Sequence, residues 1–311
     1  MVKTSRVDFH GYSDCIRLEN DETRVTLGHQ CGGLVLDYSW RGENLMALDP
    51  NQAGWMYSPG GPEIDPCGGR CDIGPEKAIA PHPTLWLGAW SPEVDASGVA
   101  RLTSQVDPAT GARLVREFEL DPVGSRLRCT QTMVNESGRD QAWHHWSRTL
   151  SPGGGIVVVP LTEPRRFPSG YVMYGSDYVS ANFAPADPNV RIRDGFLEIF
   201  DTPESPKLCI DSYAGWFAYL TTTDRLFVKR FPVYPGRMYN DIVAETVSIW
   251  YFEDRLCELE PIGPEERLAP GESASFTEGW WILPYKFPER RDALDLAAVA
   301  DLVERQTSSN H

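Results

Sequence analysis

The segment at residues 141–149, QAWHHWSRT, concentrates side chains that can transfer a proton, hold an anion or stack on a flat ligand. If this segment is a strand, alternate residues face opposite sides of a sheet, so His144 and Arg148 share one face and His145 lies on the other. A strand that serves only packing would carry Val, Ile and Leu here. Because imidazoles titrate near neutral pH, either histidine is a candidate for acid–base chemistry. The alternative is a structural pair, with one histidine hydrogen-bonded in the core and the other on the surface.

A second candidate segment lies near the carboxyl end, in the sequence CELEP at residues 257–261. Alternation places Glu258 and Glu260 on one face and Leu259 in the core. Mutual repulsion between two neighbouring carboxylates raises the pKa of one of them, which would suit a general base. The alternative is a solvated edge strand with no chemical role.

Between these segments and the amino terminus, residues 50–90 form a long stretch rich in turn residues. A loop of this length in a compact domain is usually functional or disordered. Apolar anchors that include Trp86 argue for order, so we expect the wall of a site. Its candidate binding residues are Glu63, Arg70 and His82, with Trp86 as a stacking surface.

The elements that must position these residues are mostly short strands. The chain of 311 residues contains 27 Gly and 25 Pro, and turn residues recur between runs with strand alternation, such as residues 113–120 and 126–135. Residues 288–306 have an apolar face at helical spacing and form the one predicted helix. The sequence therefore predicts an all-β fold with one C-terminal helix.

Charge and cysteine content exclude several classes of protein. The net charge is −15, which opposes binding to nucleic acid or to an anionic membrane surface. No apolar run is long enough to span a membrane, and no signal-peptide core follows the first residues. Seven scattered cysteines do not suggest a secreted disulfide framework, and Cys67 and Cys71 lack the second pair that a zinc site needs. We expect a cytoplasmic protein, monomeric or homodimeric, with no bound metal.

Several short segments follow one another in an order and spacing that cover nearly the whole chain: GGLVL at 32–36, GENL at 42–45, GG at 60–61, VNES at 134–137, HHW at 144–146, CELEP at 257–261 and LAPGES at 268–273. Together they resemble the galactose mutarotase-like superfamily, which includes the aldose 1-epimerases. The resemblance implies a β-supersandwich. We expect one such domain over residues 1–287, with the helix and tail at 288–311 packed on the same domain.

The resemblance also implies a reaction and its residues. Family mutarotases open and re-close a pyranose ring with a glutamate base and a histidine acid, which here correspond to Glu258 (or Glu260) and to His144 or His145. Positional matches for substrate-holding residues are Arg70 and His82, and the remaining binding candidates are Arg148, Glu63, Trp86 and Glu260. The expected partner is a small carbohydrate, and no organic cofactor is implied.

Two other functions fit the same residues. A polysaccharide lyase or glycoside hydrolase could act in the same cleft, and hydrolysis would be favoured by a carboxylate pair about 5–10 Å apart among Glu63, Asp65, Glu258 and Glu260. A non-catalytic sugar-binding protein is the third hypothesis.

Overall fold

The computed structural model describes residues 1–175, 180–252 and 255–308. Two antiparallel sheets dominate this part of the chain. The larger one has 13 strands, numbered here in chain order and given in spatial order: β1 (Lys3–Phe9), β2 (Tyr12–Glu19), β3 (Thr23–Gly28), β4 (Leu34–Trp40), β6 (Gly69–Gly74), β11 (Gln141–Pro152), β21 (Leu256–Pro261), β20 (Val247–Phe252), β17 (Lys207–Ile210), β13 (Tyr171–Tyr174) and β14 (Ala181–Asn182), with β5 (Glu43–Asn44) paired to β4 and β22 (Glu266–Leu268) paired to β11.

The smaller sheet has 10 strands. In spatial order they are β15 (Val190–Arg193), β16 (Phe196–Ile199), β12 (Ile156–Pro160), β18 (Trp216–Leu220), β19 (Arg225–Arg230), β23 (Ser273–Pro284), β10 (Leu127–Asn135), β9 (Ala112–Leu120), β8 (Ala100–Thr103) and β7 (Ser91–Val94).

The main core lies between the two sheets. It is built from alternate residues of strands that carry Val, Ile, Leu and aromatic side chains, such as Leu259 and Ile249 from the larger sheet and Phe227 and Trp280 from the smaller one. Because the side-chain period of a strand is two, the intervening residues of β21 and β11 face away from this core. The outward face of the larger sheet is therefore free to form a site.

One main helix, α2 (Leu296–Thr307), packs on the outer face of the smaller sheet, while α1 (Pro83–Trp86) is a single short turn. Leu296, Val299 and Val303 of α2 join an apolar cluster with β12, β18, β19 and β23. The predicted all-β fold with a C-terminal helix is confirmed. The helix begins later than the predicted residue 288, because the Asp295 side chain caps it by accepting a hydrogen bond from the Ala298 amide.

Candidate functional site

A cleft of about 500 Å³ opens on the outward face of the larger sheet. Its floor comes from neighbouring strands: Arg148 from β11, Glu258 from β21, Trp250 from β20, Lys207 from β17 and Tyr174 from β13. The ladders pair Glu258 with Trp250, and Trp250 with Lys207. Residues far apart in the sequence thus meet because their strands are neighbours.

An ion-pair cluster occupies the floor of this cleft. Arg148 Nε lies 2.8 Å from Glu258 Oε1 and 3.6 Å from Glu260 Oε1, and Lys207 Nζ donates to Glu260 Oε2. Glu258 and Glu260 are 1% and 0% exposed. The attraction between the carboxylates and the two cations is therefore weakened little by water. As the alternation predicts, both glutamates face away from the core that contains Leu259.

The predicted repulsion between the two carboxylates does not raise the pKa of Glu260. Burial alone would raise this pKa, but the Lys207 ammonium and the Arg148 guanidinium outweigh burial and hold it below its ordinary value. Burial lowers the pKa of Lys207, but the Glu260 and Glu258 carboxylates outweigh burial and raise it above its ordinary value. For Glu260 the prediction is wrong, because the sequence pattern does not reveal that these two cations contact it.

Two indole rings give the cleft an apolar surface. Arg148 and Lys207 lie over the Trp146 ring, at 4.4 Å and 5.7 Å from its centroid. The indole N–H groups of Trp146 and Trp250 have no hydrogen-bond partner among the described residues. Trp146 is buried beneath the two cations, whereas Trp250 is partly exposed and can offer the cleft a stacking surface.

A buried acid that the sequence reasoning missed lies at the edge of the cleft. Glu245 lies two residues before β20 and is 1% exposed. Its Oε1 accepts a hydrogen bond of 3.1 Å from Cys209 Sγ, and its Oε2 accepts one of 3.3 Å from the Val243 amide. Burial, followed by the nearby Asp241 carboxylate, raises the pKa of Glu245 to about 7. The only local signal was two acids flanking the short apolar run 242–244 before a strand.

The two histidines of β11 occupy different environments, as alternation predicts. His145 lies in the interior between the sheets, where it stacks on Phe276 with ring centroids 5.6 Å apart and its Nε2 lies 3.1 Å from the Ala274 carbonyl oxygen. Burial lowers its pKa to about 3. The expectation that His145 could face a substrate is therefore wrong, because its ring is enclosed in the core.

His144 is on the outward face but is fully buried. Its Nδ1 donates to Asn240 Oδ1 at 2.7 Å, and its Nε2 has no partner among the described residues. Burial lowers its pKa, which favours the neutral ring.

His144 is also far from Glu258 along the sheet. Glu258 pairs with Leu150, which lies six residues beyond His144 on β11. At about 3.3 Å per residue, the two backbone positions are separated by roughly 20 Å. The expected base and acid therefore do not flank a single monosaccharide ring.

The residues predicted from the long loop form a separate set beside the cleft. The Arg70 guanidinium is fully buried, donates to Asp65 and lies 5.1 Å from the Trp86 ring centroid. His82 Nε2 lies 2.8 Å from Asp72 Oδ1. Glu63 is exposed to solvent. Asp65 lines the cleft, but Glu63, Arg70, His82 and Trp86 do not, so these four are not in the substrate-contacting positions expected of them.

Within the described ranges, no group of three or more His, Cys, Asp or Glu residues is arranged to hold a metal ion. All seven cysteines, including Cys67 and Cys71, are free thiols. No helix in this part of the chain has the length and hydropathy needed to cross a membrane.

No protein-family model and no curated protein matches the chain. Solved structures match over most of its length. They include the Slr1438 protein from Synechocystis sp. PCC 6803 (TM-score 0.61, 15% identity, covering 90% of this chain and 99% of that one). A candidate aldose 1-epimerase from Escherichia coli K12 matches with TM-score 0.61 and 10% identity over 91% of this chain and 100% of that one. A galactose mutarotase-like protein from Lactobacillus casei ATCC 334 matches with a TM-score of 0.59 and 10% identity, over 86% of this chain and 100% of that one. The chain therefore has the galactose mutarotase-like fold that its sequence resembles.

Proposed function

We propose that the protein is an aldose 1-epimerase-like mutarotase and that Glu258 is its base. The observation that carries the proposal is the position of Glu258, on the outward face of the sheet in a cleft that also presents Trp146 and Trp250. A carboxylate there can accept the proton of an anomeric hydroxyl while the partly exposed Trp250 ring contacts the apolar face of the sugar. Arg148 fixes the carboxylate through two hydrogen bonds, of 2.8 and 3.3 Å.

The charges of the cleft favour an uncharged aldose as substrate. The cations among its described lining residues are already paired: Arg148 with Glu258, Lys207 with Glu260, and Lys77 with Glu76 at 3.5 Å. A phosphate or carboxylate on the sugar would have to break one of these pairs or lie beside the carboxylates. Either arrangement carries an electrostatic cost at the buried pairs of Arg148 and Lys207, whereas the half-exposed Lys77–Glu76 pair is broken at little cost.

The test is NMR exchange spectroscopy of α and β anomers over a panel of uncharged aldoses, hexose 6-phosphates and uronic acids. We expect faster exchange with at least one uncharged aldose. Glu258→Gln keeps the shape of the side chain but accepts no proton, and should reduce the enzymatic rate by about 10²- to 10⁴-fold. Glu119→Gln, a surface change on the smaller sheet at the Arg128 ion pair, is the matched control and should leave the rate unchanged. Exchange at the uncatalysed rate with every sugar would rule out the proposal.

Glycoside hydrolysis is the second candidate. That reaction uses a pair of carboxyl groups, and both Glu258 and Glu245 line the cleft. A panel of 4-nitrophenyl glycosides distinguishes it. Release of nitrophenol by the wild type, with no acceleration of anomer exchange, would replace mutarotation with hydrolysis as the function.

A further inference from the structure

Mutarotation needs a proton donor as well as a base. The ring oxygen must gain a proton as the bond between the anomeric carbon and that oxygen breaks. The histidines of β11 are poorly placed for this step, since one is enclosed between the sheets and the other lies roughly 20 Å along the sheet from Glu258. We propose that Glu245 is the general acid of this cleft, an inference that rests on the proposed function.

The sheet register places Glu245 across the cleft from Glu258. The Glu245 carboxyl contacts the Cys209 thiol, and Cys209 pairs with Ser248, which pairs with Glu260. Cys209 is thus two strands to the side of β21 and two residues along from Glu258. With strands about 4.8 Å apart and residues about 3.3 Å apart, the Cys209 and Glu258 backbones are roughly 12 Å from each other. Both carboxyl groups line the cleft, Glu258 held by Arg148 on β11 and Glu245 held by Cys209 on β17, so a ligand bound in the cleft can lie between them.

The surroundings of Glu245 keep a proton on it near neutral pH. The carboxyl is buried, and Asp241 on the same loop repels a second negative charge, so the pKa of Glu245 is raised to about 7. From β17, the hydrogen bond from Cys209 and the charge of Lys207 act in the opposite direction and limit this rise. Tyr174 on β13 lies near the same thiol. Asp241 Oδ1 has no hydrogen-bond partner among the described residues to neutralise it.

The proton transfers balance. Glu258 takes the proton of the anomeric hydroxyl, whose oxygen forms a carbonyl with the anomeric carbon. The electron pair of the breaking ring bond moves to the ring oxygen, which receives the Glu245 proton. After rotation about the neighbouring carbon–carbon bond, the same two residues reverse the transfers. The ring then closes with either configuration, and both glutamates recover their starting states.

The pH dependence of kcat for anomer exchange tests the assignment. Because the acid must be protonated, wild-type kcat should fall as the pH rises through about 7. Glu245→Gln should lower kcat by about 10²-fold or more and remove this alkaline decline. Asp241→Asn removes the repulsion and should shift the decline to lower pH while the protein stays active, a shift that a merely structural role would not produce.

His144→Asn provides the discriminating comparison, and it should keep the alkaline decline. An active wild type in which Glu245→Gln retains both rate and decline, or in which His144→Asn loses the decline, would overturn the assignment and leave the proposed function standing. A wild type with no anomer exchange would overturn both.

Discussion

Gly74 lies opposite His144 in the ladder between β6 and β11, and no side chain fits there. A Cβ atom at this position would lie 1.9 Å from His144 Nε2. The imidazole cannot move aside freely, because it is fully buried and donates to Asn240. We expect Gly74→Ala to lower the free energy of unfolding by about 1–3 kcal/mol, as overpacked cores do.

Urea unfolding measures this effect, and Gly138→Ala is the matched control because a Cβ there meets nothing within 4 Å. The double variant Gly74→Ala/His144→Ala should recover part of the lost stability by removing the clash. Equal unfolding free energies for Gly74→Ala and the wild type would contradict the packing described for His144.

For single residues, the sequence predicts which residues share a face of a strand better than it predicts what surrounds each side chain. Alternation correctly separates His144 from His145 and sets Glu258 and Glu260 apart from Leu259. It cannot tell which face lies between the sheets, since that depends on how the sheets pack. Alternation also cannot identify Lys207 as the partner of Glu260. The two residues meet only because β17, β20 and β21 are neighbours in the sheet.

At the scale of elements, one lysine of the smaller sheet ties together two strands of the larger one. Lys229 on β19 is fully buried. Its Nζ donates to Ser147 Oγ at 3.1 Å and Thr149 Oγ1 at 2.8 Å on β11, and to the Leu259 carbonyl at 3.2 Å on β21. The outward faces of these same two strands carry the cleft residues described above.

Lys229 forms an ion pair with the buried carboxylate of Glu278, since its Nζ lies 3.2 Å from Glu278 Oε2. Lys229→Met would leave that charge without its cation and should lower the free energy of unfolding by about 3–5 kcal/mol. The double variant Lys229→Met/Glu278→Gln should be more stable than the single one, because no buried charge is left unpaired. Chemical denaturation of the three proteins checks the order, and a single variant as stable as the wild type would show that the ammonium is not needed between the sheets.

For the whole molecule, the strand pattern and the ordered family-like segments predict the architecture, whereas the cleft depends on long-range assembly. The β11–β21 pairing joins residues about a hundred positions apart, and no local pattern specifies which distant strands become neighbours. Turn chemistry and alternation specify the existence of strands, but the order of strands in a sheet follows from burying all apolar faces at once. Strand alternation could therefore identify Glu258 as a candidate site residue, whereas Glu245 becomes a candidate only once the strands are assembled around the cleft.

The stability of the whole protein should depend on pH through His82. Burial opposes its charge, but the hydrogen bond and the negative charge of Asp72 outweigh burial, with smaller contributions from the Ala80 carbonyl and Asp107, and raise its pKa from 6.5 to about 9. The folded protein therefore binds more protons than the unfolded chain between these values. Stability from this contact is fully present below about pH 6.5 and is lost as the pH rises through about 9.

A shift of this size corresponds to at most about 3 kcal/mol. His82→Gln keeps an amide N–H toward Asp72 but takes up no proton, so its unfolding free energy should fall less steeply between about pH 6.5 and 9 than that of the wild type. Glu245 has a pKa of about 7, so its loss of a proton also lowers the unfolding free energy as the pH rises at the lower end of this range. This contribution is the same in both proteins. Urea unfolding at several pH values gives the two slopes. Identical slopes would mean that His82 is not charged in the folded protein and that the buried contact with Asp72 is a hydrogen bond of the neutral ring.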